Sequence, residues 1–132
     1  MKNDLPDIIK KVGFDFTWDS KKVWQLKLPV VEMDVKELLW HFDIPFWEKE
    51  DTDDYNLTPR EVIKGGHGTK GHRNKIHAAD LQYPIDIMKN KGRWLILDGL
   101  HRLVKAYESG HKTVRVRKVP RKEISKILID KK

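Results

Sequence analysis

The tightest constraint on this chain lies in 94-WLILDGLHRLVKAYESG-110. Trp94, Leu95, Ile96 and Leu97 are consecutive apolar residues without the alternation of a half-exposed strand. The run therefore reads as a strand covered on both faces, the kind expected at the centre of a sheet. Immediately after it, Leu100, Leu103, Val104 and Tyr107 form one stripe at helical spacing, and Gly110 supplies the stop. Only Asp98 and Gly99 separate the two. A covered strand that turns this sharply into an amphipathic helix requires a helix layer packed on a sheet. The chain then returns as 113-TVRVRKV-119, an alternating strand with Val114 and Val116 inward and Arg115 and Arg117 outward.

The flanking segments fit the same layered design. The runs 84-PIDIM-88 and 93-RWLIL-97 enclose Lys89-Asn90-Lys91-Gly92, a turn signal, and predict a hairpin. The β-branched run 27-KLPVVEM-33 predicts another strand. Asp34 and Glu37 have capping-box spacing and predict a helix to about His41, with Val35, Leu38 and Leu39 inward, before 44-IPFW-47 runs extended. Thr58-Pro59-Arg60-Glu61 is a second capping box with proline at the first helical position, and Gly65-Gly66 ends that helix. The stretch 64-KGGHGTKGHRNK-75 reads as a flexible electropositive loop, and Ile76 to Leu81 as a helical turn. At the N-terminus, Asp4 and Pro6 suit a short helix ending at Gly13. Phe14, Phe16 and Trp18 alternate as an edge strand or arm, and Asp19-Ser20 caps a turn through Leu26. Pro120 opens a last helix holding Ile124, Ile127 and Leu128. The fold class expected is α+β, with α/β layering: a small mixed sheet with flanking helices, in one domain spanning all 132 residues.

The Asp98-Gly99-Leu100-His101-Arg102 turn carries the chemistry. A helix N-terminus offers unpaired N–H groups and a positive dipole end to an anion. Gly99 removes a side chain where a ligand would approach the backbone. His101 and Arg102 project from the first turn, Arg102 suited to a bidentate phosphate contact and His101 to a single hydrogen bond. Asp98 suits coordination of Mg²⁺, acceptance of a proton or the positioning of Arg102. In the bland alternative, Asp98 caps the helix, Gly99 makes the turn, and His101 and Arg102 are solvated.

The stretch 95-LILDGLHRLVKAYESG-110 with 113-TVRVRKVP-120 resembles the ParB/sulfiredoxin superfamily, whose members join a strand, a glycine-containing turn with a His-Arg or Arg-Arg pair, a helix and a return strand. The strand opening 81-LQYPIDI-87, with 38-LLWHFDIPFW-47, Thr58-Pro59-Arg60-Glu61 and 79-ADLQYPI-85, gives the look of small stand-alone ParB-like proteins of bacteria or phage. The likeness spans about residues 24–128 and leaves 1–23 as an N-terminal extension. Sulfiredoxin chemistry is excluded, because Leu100 stands where that family has its cysteine and the chain has none. The Gly99-Leu100-His101-Arg102 sequence also departs from the Gly-Glu-Arg-Arg type motif with which ParB proteins bind CTP. The Asp-Gly-x-His-Arg core is similar to that of the superfamily's free-serine kinases. That likeness implies a nucleotide (ATP, ADP or CTP) with Mg²⁺, a phosphate cradle at Gly99, Leu100, His101 and Arg102, and a carboxylate base at Glu32. The superfamily has also been described to include nucleases.

Other segments widen the choice. Folding of the loop 64–75 over a bound anion would bring Lys70, His72, Arg73 or Lys75 to a nucleotide or a nucleic-acid backbone, and Gln82 lies at the strand opening. Arg115 and Arg117, with the basic tail, suit phosphate tracking or a charged strand edge protected from aggregation. The net charge of +7 suits anionic partners. His67, His72 and His77 recur every five residues, not at the i, i+4 spacing of a helical metal pair, and the acidic stretch 48–54 lacks the EF-hand pattern. Without cysteine there are no disulfides, thiol nucleophiles or Cys-based zinc sites, and no apolar run approaches the roughly 18 residues of a membrane span. With no signal-peptide pattern at the N-terminus, a cytoplasmic setting is expected. Two readings follow. One is a nucleotide-binding domain that transfers phosphoryl groups to a small hydroxyl compound with Mg²⁺. The other is a nucleic-acid-binding or cleaving module. Oligomeric state is left open.

Overall fold

The hairpin is set by two residues. Lys91 and Gly92 both have positive φ (51° and 82°), the backbone of a tight turn whose twist matches its flanking strands. A computed structural model describes residues 7–13, 16–49, 52, 55–66 and 68–129. Around the hairpin of β2 (Ile85–Asn90) and β3 (Arg93–Asp98) it assembles a four-stranded mixed sheet with β1 (Val31–Asp34) and β4 (Thr113–Lys118), in the order β1-β4-β2-β3. β4 runs antiparallel to β1 and parallel to β2. Helices α1 (Asp7–Val12), α2 (Ser20–Gln25), α3 (Pro59–Lys64), α4 (Lys70–Ala78), α5 (Leu100–Glu108) and α6 (Ile124–Ile127) flank it, giving the expected α+β fold. No helix among the described residues is long and apolar enough to cross a membrane.

The sheet is covered on both faces. Ile85, Ile87, Ile96, Val114 and Val116 pack with Leu103 and Val104 of α5, Val62 of α3 and Ile76 of α4. On the other face Met88 and Leu97 pack with Val23 of α2 and Ile127 of α6. α1 adds a third cluster, in which Ile9 and Val12 meet Ile44. Residues of the expected N-terminal extension thus belong to the core. Trp18 bridges Leu128, and Asn90 donates to the carbonyls of Val12 and Gly13 at 3.2 and 2.8 Å.

Several local expectations hold. Thr58 and Glu61 cap each other reciprocally, and Gly65 closes α3 in the left-handed region. Asp19 caps α2 by accepting from the Lys21 amide. Four expectations need correction. β3 is an edge strand, not the central one; β2, with four successive buried residues, takes the central role beside β4. β3 can be apolar on both faces because side chains close its free edge. Trp18 Nε1 donates to the Leu97 carbonyl at 3.0 Å, and the Ile96 amide donates to His41 Nε2 at 3.1 Å. Residues 70–75 of the expected flexible loop join the turn expected from Ile76 in one helix, α4, since burial of His72 and Ile76 on one helical face outweighs the cost of Gly71. Arg117 points to the second sheet face as alternation requires, but α2 covers that face, so the side chain is largely buried. The segment after Asp34 winds as 3-10 turns, Val35–Glu37 and Leu39–Asp43, while β1 starts only at Val31. The readings on Asp4, Pro6, Phe14, His67 and most of the acidic stretch (Glu50, Asp51, Asp53 and Asp54) lie outside the described residues.

Candidate functional site

Gly99 is dictated first by backbone. Its φ of 113° is left-handed, and a Cβ there would lie 3.2 Å from the Ile85 Cα and 3.2 Å from Arg102 NH1. The turn crosses directly over the start of β2, where the pairing of β2 with β3 shifts register between Asp86 and Ile87. Gly99→Ala is therefore expected to lower stability by about 2 kcal/mol from strain plus displacement of β2, read as a fall in melting temperature. An unchanged melting temperature would contradict this account of the turn.

Asp98 does not cap α5: the helix begins without a side-chain cap and without an acid in its first turn. Asp98 Oδ2 instead accepts from Trp24 Nε1 at 2.7 Å and lies 3.6 Å from Arg102 NH1. Arg102 also donates to the Pro84 carbonyl at 2.9 Å, and its guanidinium lies 5.8 Å from the centre of the Tyr83 ring. His101 and Arg102 diverge, as successive residues of a helix must, about 100° apart. Arg102 turns toward Tyr83 and Pro84, and His101 toward Trp47 and α4.

His101 belongs to a stacked, hydrogen-bonded group. Its Nε2 is 3.0 Å from His72 Nδ1, and His72 Nε2 is 2.9 Å from the Glu48 carbonyl. Both imidazoles lie on the Trp47 indole, at 4.4 and 4.5 Å between centroids and 11° from parallel. Burial, with His72 and Lys75 nearby, pushes the His101 imidazole down to about 4, so it is neutral at ordinary pH.

This group borders a cavity of about 620 Å³. Its floor is the turn itself (Asp98, Gly99, Leu100 and His101). Its walls include Phe16, Trp18, Phe46, Trp47 and Tyr55, and Lys10 lines it from α1. Five aromatic side chains thus surround the start of α5.

The other expected site residues disperse. Glu32 is exposed on β1 opposite Arg115 and shares a smaller cavity, about 190 Å³, with Arg102 and Arg115, apart from Asp98 and His101. Gln82 is exposed, and its carbonyl accepts from Arg115 at 3.3 Å. Arg73 is held by Glu108 at 2.8 Å, while Lys70, Lys75 and Arg115 are exposed. Arg117 donates to Asp86 Oδ1 at 2.7 Å and to the Leu26 and Val23 carbonyls at 2.7 and 2.9 Å, closing the C-terminus of α2. Asp86, only 2% exposed, went unnoticed in the sequence, although an acid inside 84-PIDIM-88 was the available signal. Its burial pushes the carboxyl upward against the opposing pull of Arg117. Lys10 and Tyr55, also missed, come from distant segments and carry no local signal. Among the described residues no three His, Asp or Glu side chains gather in a metal-holding group, so Mg²⁺ at Asp98 would need ligand phosphates and water as well.

Comparison with protein-family models, with curated proteins and with solved structures gives no match to this chain.

Proposed function

We propose that the cavity above the N-terminus of α5 binds a nucleotide or a similar ligand that joins a phosphate to a planar ring. One observation carries the reading: a bare helix start and an aromatic enclosure line the same cavity. The amides of the first turn and the dipole end suit a phosphate. Lys10 adds an exposed cation, and Trp47 or Tyr55 suits the ring. The resemblance of Asp98-Gly99-Leu100-His101-Arg102 to the ParB/sulfiredoxin superfamily points the same way. Were Mg²⁺ to accompany the ligand, Asp98 is the side chain on this floor that would hold it, and the ion would offset phosphate charge. Transfer of a phosphoryl group to a small hydroxyl compound is the reaction that such a set would support. Glu32 borders a different cavity, so we do not assign it as the base. The nucleic-acid reading draws less support, because Arg73 and Arg117 are engaged by Glu108 and Asp86.

A screen of ATP, ADP, CTP, GTP and short duplex DNA, each with and without Mg²⁺, tests this by melting temperature and tryptophan fluorescence. We expect at least one nucleotide, and not the DNA, to stabilise the fold and quench emission. His101→Glu sets an anion in the first turn, which suits the helix dipole but opposes a phosphate. That variant should bind the nucleotide about tenfold more weakly, roughly 1.4 kcal/mol. Equal binding by parent and variant would refute the site.

A further inference from the structure

The hydrogen bonds around His101 define its tautomer. A carbonyl oxygen only accepts, so His72 carries its proton on Nε2, facing Glu48. His72 Nδ1 is then an acceptor, and His101 must donate to it from Nε2. The nitrogen left over is His101 Nδ1, which has no hydrogen-bond partner among the described residues. It belongs to the residue that lines the cavity beside the start of α5. Trp47 stacks against both rings and keeps them nearly coplanar, 13° apart.

We infer that His72 is a positioning residue that fixes His101 as the Nε2-protonated tautomer, and that the pair takes up one proton when a dianion occupies the N-terminus of α5. The inference rests on the anion-binding reading above and specifies how that site handles charge. With one proton added, either His101 is doubly protonated or the bridging proton sits on His72 Nδ1. In both microstates His101 Nδ1 carries hydrogen and can donate to an anion, and in the second the positive charge resides on His72 beside the Glu48 carbonyl. The proton comes from solvent, and no bond other than N–H forms or breaks.

Burial keeps the His101 imidazole neutral until an anion arrives, and His72 and Lys75 on α4 oppose a positive charge there. Lys10 on α1 lines the same cavity. His41 from the 3-10 turn and Tyr55 also line the cavity, and Asp98, the one carboxylate on its floor, is engaged by Trp24 and Arg102. An anion within a few ångströms reverses that balance.

Two measurements on the parent protein test the inference. Nitrogen-15 NMR of the imidazoles should show His101 protonated at Nε2 and bare at Nδ1, hydrogen-bonded to His72. Finding the proton on Nδ1 would overturn the inference. Calorimetric titration near pH 6 with sulfate, a dianion whose own charge is constant there, is run in two buffers of different ionisation enthalpy. It should show uptake of about one proton per sulfate, with affinity rising roughly tenfold per pH unit on acidification. Binding without proton uptake overturns the proton-loading inference and leaves the anion site intact. No sulfate binding overturns the anion site itself, while the NMR result still decides the tautomer. His72→Phe should abolish the tautomer preference, and His72→Gln, which retains an acceptor, should restore it.

Discussion

Arg117→Met is expected to cost about 3–5 kcal/mol of folding stability, the usual toll for breaking a buried ion pair from one side. The guanidinium side chain is only 11% exposed and makes three hydrogen bonds to two other elements. Its Nε meets Asp86 on β2, and its two terminal nitrogens close the end of α2 through the Val23 and Leu26 carbonyls. Without it the Asp86 carboxyl remains in an apolar layer, already pushed toward its neutral form by burial. Asp86→Leu should cost a similar amount, because an arginine cannot shed its proton to escape burial. The double variant Asp86→Leu/Arg117→Met should lose less than the sum of the singles, with a coupling of about 2 kcal/mol. Urea unfolding of the four proteins measures the cycle, and additive losses would show that the two side chains act independently. The consequence reaches the site, since Asp86 is the cross-strand neighbour of Asp98 and sits at the register shift before the Gly99 turn. Loosening β4 from β2 should therefore weaken the ligand binding proposed for that site as well as stability.

The contrast between α3 and the 64–75 segment shows where the sequence could be read and where it could not. The capping box at Thr58 and the stop at Gly65 are local signals, complete within a few residues, and both appear as expected. α4 has no such start: Thr69 gives no side-chain cap, and Gly68 and Gly71 argue for flexibility. Its stability comes from His72 and Ile76 buried against neighbours, and from Arg73–Glu108 and Lys105 to the His77 and Ala79 carbonyls. None of those contacts is visible in a short window. β3 fails for the same reason. An apolar strand reads as central, but its free edge is closed by Trp18 and His41, 79 and 55 residues away.

The site divides along the same line. Asp98 at the end of β3 and Arg102 in α5 meet at 3.6 Å across the Gly99 turn, in keeping with the reading of Asp98 as a residue that positions Arg102. The divergence of His101 and Arg102 is also local, since successive residues of a helix lie about 100° apart. The aromatic enclosure is not local, because Lys10, Trp47 and Tyr55 reach the cavity from separate segments.

Lowering the pH from 7 to 4 should remove about 3 kcal/mol of stability through His41 alone. This imidazole is 1% exposed, donates from Nδ1 to the Leu38 carbonyl at 2.7 Å, and accepts on Nε2 from the Ile96 amide at 3.1 Å. A second proton on Nε2 would face an N–H group, and burial pushes the imidazole from 6.5 down to about 4. Between those values the unfolded chain binds the proton and the folded chain does not. Stability is therefore complete above about 6.5 and falls as the pH drops toward 4. His41→Gln cannot titrate in this range, so its unfolding free energy should vary less with pH by roughly one proton, whatever its value at pH 7. An equal slope in parent and variant would show that the edge-capping histidine is not the acid-sensitive group. His101, pushed down in the same way, adds to the parent's slope, and anions separate the two. Sulfate at the start of α5 should raise the affinity of His101 for its proton and flatten its share of the acid loss. The share due to His41 should remain, because both of its nitrogens are already committed to backbone groups.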